Sequence, residues 1–131
     1  MITVHIDGAS RGNPGNAGIG IHAVKDGKAL LNIGEYIGKT TNNVAEYSAL
    51  IRALEELLII GVKKAKFFSD SQLLVEQIKG NYKVKDEKLK LLFGQAKSLI
   101  LKLDEFKIEH IPREKNKIAD ALANKGIDCS L

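Results

Sequence analysis

Ile2-Thr3-Val4-His5-Ile6-Asp7-Gly8-Ala9-Ser10-Arg11-Gly12-Asn13-Pro14-Gly15 opens the chain, and its first half reads differently from its second. Ile2, Val4 and Ile6 alternate with Thr3, His5 and Asp7, the period of a strand with one apolar face, which leaves Asp7 at its carboxyl end. From Asp7 to Gly15 the glycines and Pro14 read as a turn. That turn lacks P-loop spacing and leads toward another strand instead of a helix, which excludes a phosphate cradle of that kind. An acid at the carboxyl end of an early strand is where open α/β sheets place their chemistry.

Working outward, Ala17 to Val24 is a second strand, Lys25-Asp26-Gly27-Lys28 an Asp-Gly hairpin turn, and Ala29 to Ile37 a third strand. These make an antiparallel meander. Thr40-Thr41-Asn42-Asn43 offers cap residues, with Glu46 three positions after Asn43 in the capping-box place. The helix runs to about Ile60 and stops at Gly61, with Tyr47, Leu50, Ile51, Leu54, Leu57 and Leu58 as its apolar stripe. Glu46 lies at the stripe's margin, in line with Ala49 and Ala53, whose small side chains allow close approach to a sheet.

Ala65 to Ser69 is a fourth strand, parallel to an earlier one because a helix crosses over to it. Asp70 then turns the chain into a helix over Ser71 to Lys79, broken by Gly80-Asn81. Asp86 to Lys102 is an amphipathic helix, and Phe106 to Ile111 is a fifth strand that Pro112 ends. Asn116 to about Lys125 is the closing helix. The order predicts an α/β fold: a mixed five-stranded sheet, three antiparallel strands and then parallel additions, flanked by helices. If the first and fourth strands are parallel neighbours, Asp7 and Asp70 stand side by side at their carboxyl ends.

At 131 residues the chain suits one domain over 1–131. A hydrophobic share of 44% with 27% charged residues is globular, and the absence of Trp with only 2 Pro argues against lectin-like or Pro-rich modules. The single cysteine, Cys129, excludes an internal disulfide, lacks the basic surroundings of a reactive thiol, and fits a reducing compartment. No basic stretch followed by an apolar one opens the chain, and the longest apolar runs, such as Leu57 to Ile60, are far below membrane length. A cytoplasmic monomer without membrane attachment is the expectation. The net charge of +4 is a mild bias toward polyanions. Lysines recur from Lys79 through Lys83, Lys85, Lys88, Lys90, Lys97 and Lys102 to Lys107, either a solvated helix face or a track for phosphates.

Asp7, Glu46, Asp70 and Asp120 each have a dull explanation alone: turn formers after strands, a capping-box partner, a helix-surface acid. Together they have a better one. Asp120 sits within Ile118-Ala119-Asp120-Ala121-Leu122-Ala123, where a charge costs several kcal/mol unless paired or coordinated. Four oxygen ligands turned to one point suit Mg²⁺ or Mn²⁺, not zinc, and point to metal-dependent phosphoryl transfer. His5 and His22, inside strands, read as structural histidines.

Asp7 to Gly15, Thr40-Thr41-Asn42-Asn43-Val44-Ala45-Glu46, Ser69-Asp70-Ser71-Gln72 and Pro112-Arg113-Glu114-Lys115-Asn116-Lys117-Ile118-Ala119-Asp120, in this order, resemble the type 1 ribonuclease H family. The resemblance covers essentially the whole chain. It implies an endonuclease that hydrolyses the RNA strand of an RNA–DNA hybrid and leaves 5′-phosphate and 3′-hydroxyl ends. It also implies two Mg²⁺, with Mn²⁺ as substitute, held by Asp7, Glu46, Asp70 and Asp120 roughly 4 Å apart. Asp7 would bridge both ions and Asp70 would orient the nucleophile side. Glu46 would bind one ion and touch the ribose, while Asp120 would bind the other. Asn13, Asn43 and Gln72 match positions that contact the hybrid in its minor groove, and Asn42 lies near those that contact DNA; Gly8, Ser10 and Ser71 complete the expected substrate surface.

Two features depart from the family pattern. Where many members carry a mobile His before the last acid, alignment on Asn116 places Arg113, which can stabilise phosphate charge but cannot relay a proton. His110, ending a strand, and Glu114 are the competing auxiliary residues. Between Gly80 and Asp86 there is also no room for a long basic protrusion, and a hybrid-binding domain before Met1 is not expected. Weak, salt-sensitive binding through Tyr82-Lys83-Val84-Lys85 and the following helix is expected. The alternatives are the same fold with a broader range that includes double-stranded RNA, or a catalytically silent nucleic-acid-binding module.

Overall fold

The computed structural model describes residues 1–130. Its elements are β1 (Ile2–Gly12), β2 (Gly15–Lys25), β3 (Lys28–Thr40), α1 (Asn42–Ile59), β4 (Lys64–Ser69), α2 (Gln72–Lys79), α3 (Glu87–Ile100), β5 (Glu105–His110) and α4 (Lys117–Ser130). A 3₁₀ turn at Arg113–Lys115 precedes α4. The strands form one five-stranded sheet in the order β3-β2-β1-β4-β5. β1–β2 and β2–β3 pair antiparallel, whereas β1–β4 and β4–β5 pair parallel, so the mixed sheet expected from the element order is the one observed.

The first strand is where the sequence reading needs correction. β1 does not end at Asp7. It continues to Gly12, and Gly8 through Gly12 keep pairing with β2, from Gly8↔Ile19 to Gly12↔Gly15. The reversal is confined to Gly12–Gly15, where Gly12 takes φ +108°. Gly8 serves another purpose: a Cβ there would lie 2.2 Å from the Ala45 carbonyl carbon, so its absence lets α1 rest on the sheet. β4 leaves β1 earlier, the last parallel pair being Ile6↔Ser69. Asp7 therefore stands at the notch where one neighbouring strand stops and the other goes on.

Two helix ends also differ from expectation. The N-cap of α1 is Thr41, whose side chain accepts from the Val44 N–H at 3.3 Å, so Asn43 is already helical and Glu46 is no capping-box partner. α4 runs through Gly126 to Ser130 and does not stop near Lys125, because Gly126 lies against the Glu35 backbone of β3, 2.5 Å from where its Cβ would be. Asp86 caps α3 as its position suggested, accepting from the Leu89 N–H at 2.9 Å.

α1 packs on one face of the sheet with α3 behind it, and α4 lies against β1, β2 and β3. Alternation along β2 decides the faces. Gly18 and Gly20 meet α4, so Ile19 and Ile21 turn to the other side and pack with Leu50, Leu54 and Leu57 of α1, all essentially buried. Each such side chain contributes about 1.5–3 kcal/mol on burial, which makes the α1 seam the anchor of the fold. Among the described residues no helix is long and apolar enough to cross a membrane.

Candidate active site

The acids arrive from both faces of the sheet. Gly8 faces α1, so its neighbour Asp7 faces the α4 side, while Glu46 reaches the notch from α1 and Asp70 follows directly on the end of β4. Carboxylate oxygens of Asp7, Glu46 and Asp70 come within 4.8 Å of one another. Asp120, in the first turn of α4, lines the same cleft of about 370 Å³ and faces Asp7, but it is not part of that tight group of three. Of the four acids expected at one point, three converge and the fourth stands beside them.

Burial makes the cluster electrostatically unstable by itself. Asp7 is 5% exposed and Glu46 8%. Loss of water pushes the Asp7 carboxyl up to about 9, with Glu46, Asp70 and Asp120 adding to the effect. Burial also raises Glu46, against the pull of the Gly8 N–H, which donates to its Oε1. The donor set is all oxygen, with no His or Cys in it, and positive charge is what it lacks. These residues fit a hard divalent cation, and the Asp7, Glu46, Asp70 group could hold one.

A second layer of side chains orients the acids. Asn116, 1% exposed, donates through Nδ2 to the Ile6 carbonyl at 2.9 Å and to Asp70 Oδ2 at 3.2 Å, tying Asp70 to β1. Asn124 donates to Asp120 Oδ1 at 3.3 Å and accepts from Arg11 at 3.3 Å; Arg11 also pairs with Asp128. In the sequence Asn116 opens the closing helix and aligns Arg113, and nothing there gives Asn124 or Arg11 a role. Their spacing from Asp120 on a helix could have suggested Asn124, but nothing local shows that Asn116 is buried beneath Asp70.

The expected substrate residues divide. Gly8, Ser10, Asn42, Asn43 and Ser71 line the cleft. Asn42 Oδ1 accepts from the Ser10 backbone and hydroxyl at 3.0 Å each, which fixes the rim. Asn13 lies alongside, its Oδ1 accepting from the Asn42 N–H at 3.0 Å, and thereby satisfies a free donor at the start of α1. Gln72 is exposed at the start of α2 and does not line the cleft, while Ser71 caps that helix, accepting from Leu74 N–H at 3.2 Å.

Arg113 lines the cleft and lies 3.5 Å from Asp120, with its side chain 79% exposed. So open a pair contributes little stability, and the guanidinium is free to swing toward a phosphate. His110 Nε2 lies 3.3 Å from the Asp70 carbonyl, and Glu114 lines a separate recess together with His5 and His22. Arg113→Ala should lower turnover about tenfold with an unchanged melting temperature, whereas His110→Ala should act on the melting temperature. A normally melting His110→Ala protein without turnover, beside a harmless Arg113→Ala, would reverse these assignments.

Comparison with known proteins agrees with this geometry. A family model described as reverse transcriptase-like matches residues 5–126. Ribonuclease HI of Halobacterium salinarum is 41% identical over 97% of this chain, which spans 64% of that protein's length. The crystal structure of RNase H1 from the same organism superposes with a TM-score of 0.94, covering 97% of both chains. Ribonuclease H of Dechloromonas aromatica is 33% identical over 97% of this chain and 93% of its own. LC11-RNase H1, crystallised in complex with an RNA/DNA hybrid, is 44% identical, with a TM-score of 0.94 over 99% of both chains. Fold, acid cluster and relatives define one class, that of ribonuclease H-like proteins. Within it, the chain belongs to the type 1 ribonuclease H family, whose members depend on metal.

Proposed function

We propose that this chain is an endonuclease that hydrolyses the RNA strand of RNA–DNA hybrids at the notch between β1 and β4, leaving 5′-phosphate and 3′-hydroxyl ends. The observation that carries this reading is the convergence of Asp7, Glu46 and Asp70 oxygens within 4.8 Å in an open, oxygen-lined cleft. Binding of a hybrid by LC11-RNase H1, at 44% identity, supports the choice of substrate. Two divalent ions, Mg²⁺ with Mn²⁺ as substitute, would supply the charge that activates water and stabilises the leaving 3′ oxygen.

The chain's own residues do the rest. Asp7, Glu46 and Asp70 would hold that positive charge at the scissile phosphate, with Asp120 at its flank. Asn116 keeps Asp70 turned into the cleft, and the Gly8 N–H keeps Glu46 there. Arg113 meets the phosphate from the solvent side and eases its release. Asn43, with Asn13 and Gln72 at the periphery, offers amides to the ribose 2′-hydroxyls and base edges by which RNA differs from DNA.

The test is cleavage of labelled RNA–DNA hybrid, double-stranded RNA, single-stranded RNA and double-stranded DNA, each with Mg²⁺, Mn²⁺ or chelator. Cutting of the hybrid's RNA strand with either ion, abolished by chelator, is the expected result. A 2′,3′-cyclic phosphate among the products would mean that the RNA's own 2′-hydroxyl attacks. Equal cutting of an all-DNA duplex would remove the 2′-hydroxyl from recognition. Either outcome refutes the mechanism, and cutting of double-stranded RNA would widen the substrate range.

A further inference from the structure

α4 covers the sheet over Gly18, Gly20 and Gly34 and begins only at Lys117, so the part of that face ahead of it stays open. There Thr3 and His5 of β1 stand beside Val24 and His22 of β2. With the chain from Glu114 to Ile118 as its wall, this floor makes a recess of about 390 Å³, separate from the acid cleft.

His5 and His22 are direct partners in the β1–β2 register, and both are half-buried. Residues so placed on one face hold their Cβ atoms about 4.5–5.5 Å apart, a span that two imidazoles can close on one ion through metal–nitrogen bonds of about 2.0–2.1 Å. His22 has the tautomer for it. Its Nδ1 lies 2.6 Å from Asn32 Oδ1, and an amide oxygen only accepts, so Nδ1 carries the proton and Nε2 keeps its lone pair. Ligating imidazoles are oriented in this way, by a partner on the other nitrogen. The His5 ring is held by its face, stacked on Phe68 with centroids 4.9 Å apart, which leaves the nitrogens at its edge out of the contact.

The wall adds two oxygen groups. Glu114 is exposed on the 3₁₀ turn and lines the recess. Asn116 lines it too; its Nδ2 is engaged by the Ile6 carbonyl and Asp70, while its buried Oδ1 accepts no hydrogen bond. An orphan acceptor in a wall beside two imidazoles fits a donor such as water carried by an ion. Imidazole nitrogen selects Zn²⁺ and its neighbours over Mg²⁺, and the exposed Lys115 and Lys117 of the same wall oppose a cation held by charge alone. A phosphate, which those lysines would attract, meets the Glu114 carboxylate there.

We propose that His5 and His22, with Glu114 drawn in, form a Zn²⁺-class metal site separate from the acid cleft, and that its occupation pins the turn that carries Arg113. Arg113 lines the acid cleft and Glu114 the recess, so one short turn borders both. The acids are the one tight group of three among the described residues, so Glu114 moves inward to ligate and takes the turn with it. Arg113 then loses its freedom to follow a phosphate. The site stands apart from the proposed hydrolysis; only its effect on turnover rests on that reading.

The test titrates Zn²⁺ calorimetrically into the protein in excess Mg²⁺, which keeps the acids occupied, and follows imidazole ¹⁵N shifts and hybrid turnover. The exposed Cys129 is replaced by Ser throughout, so that no thiolate competes. One Zn²⁺ should bind and shift His5 and His22 but not His110. His22→Gln should abolish this binding, and Asn32→Leu should weaken it about 10–100-fold by releasing the His22 tautomer. In the parent, Zn²⁺ should lower turnover by up to about tenfold, the loss expected of Arg113→Ala. Glu114→Gln should keep the imidazole shifts, bind more weakly and escape that inhibition. Absence of Zn²⁺ binding, or binding that leaves His5 and His22 unshifted, overturns the site. Equal inhibition of parent and Glu114→Gln puts the effect at the acids and overturns the pinning. Should His22→Gln fail to fold, Asn32→Leu decides, and an unchanged Zn²⁺ affinity there overturns the site. A parent inert on hybrid refutes the proposed function, while the binding measurements still decide the metal site.

Discussion

Asp7→Asn should abolish hybrid cleavage and, in chelator, raise the melting temperature of the protein. The site holds its acids against their own repulsion, and burial lifts the Asp7 carboxyl to about 9. In the unfolded chain the same carboxyl ionises near pH 4. Across the interval between those values the unfolded state sheds its proton and the folded state keeps it, so the metal-free parent loses stability as pH rises from about 4 toward about 9. At pH 7 the loss is on the order of 2–4 kcal/mol. Asparagine occupies the same volume without the charge and removes that loss. The variant should therefore melt above the parent at pH 8 in chelator, and the gap should close near pH 4.

Divalent cation reverses the comparison. It should raise the parent's melting temperature at pH 8 and leave Asp7→Asn almost unmoved, because the variant has lost a charged ligand from the cluster of three. Loss of several kcal/mol of charge stabilisation at the phosphate corresponds to roughly a 10³-fold or greater fall in turnover. Near-parental turnover, or a melting temperature at or below the parent's in chelator at pH 8, would sink the assignment of Asp7.

Gly8→Ala carries the second large effect, through close backbone packing. The added Cβ would lie 2.2 Å from the Ala45 carbonyl carbon and 2.3 Å from the Glu46 nitrogen. Neither atom can rotate away, so α1 must lift from β1. The lift costs about 3 kcal/mol of packing. It also carries Glu46 away from the Gly8 N–H and out of the cluster, so turnover should fall further than the folded fraction does. Gly94→Ala is the control: that glycine sits inside α3 with nothing within 4 Å of its missing Cβ, and alanine there should stabilise by about 0.5–1 kcal/mol. A Gly8→Ala protein that melts and cleaves like the parent would show that the close approach of α1 does not set Glu46.

The strand and helix pattern was legible because period carries it. Ile2, Val4 and Ile6 against Thr3, His5 and Asp7 define a face wherever the strand ends, and the stripe from Tyr47 to Leu58 defines α1. Two of the boundaries that failed are those where glycine has two meanings. Gly8 and Gly126 look like a turn and a stop, yet both mark close approach to a backbone distant in sequence, Ala45 and Glu35 respectively. Nothing adjacent in the chain distinguishes the two uses.

For the site, the identity of the acids and their oxygen chemistry were in the sequence. Asp7, Glu46, Asp70 and Asp120 stand in motifs that few chains combine by chance, and the order of elements made β4 parallel to an earlier strand, which the structure shows to be β1. The tertiary structure alone decided how the acids meet. β4 stops at Ser69 while β1 runs on to Gly12, so acids from opposite faces share one notch and Asp120 remains at its side. It also decided which side chain holds Asp70 there, since Asn116 acts on it across 46 residues. Local sequence sets the period of an element and the chemistry of a residue. Burial, close approach and hydrogen bonds between distant segments arise only when the packed elements exclude water from between them.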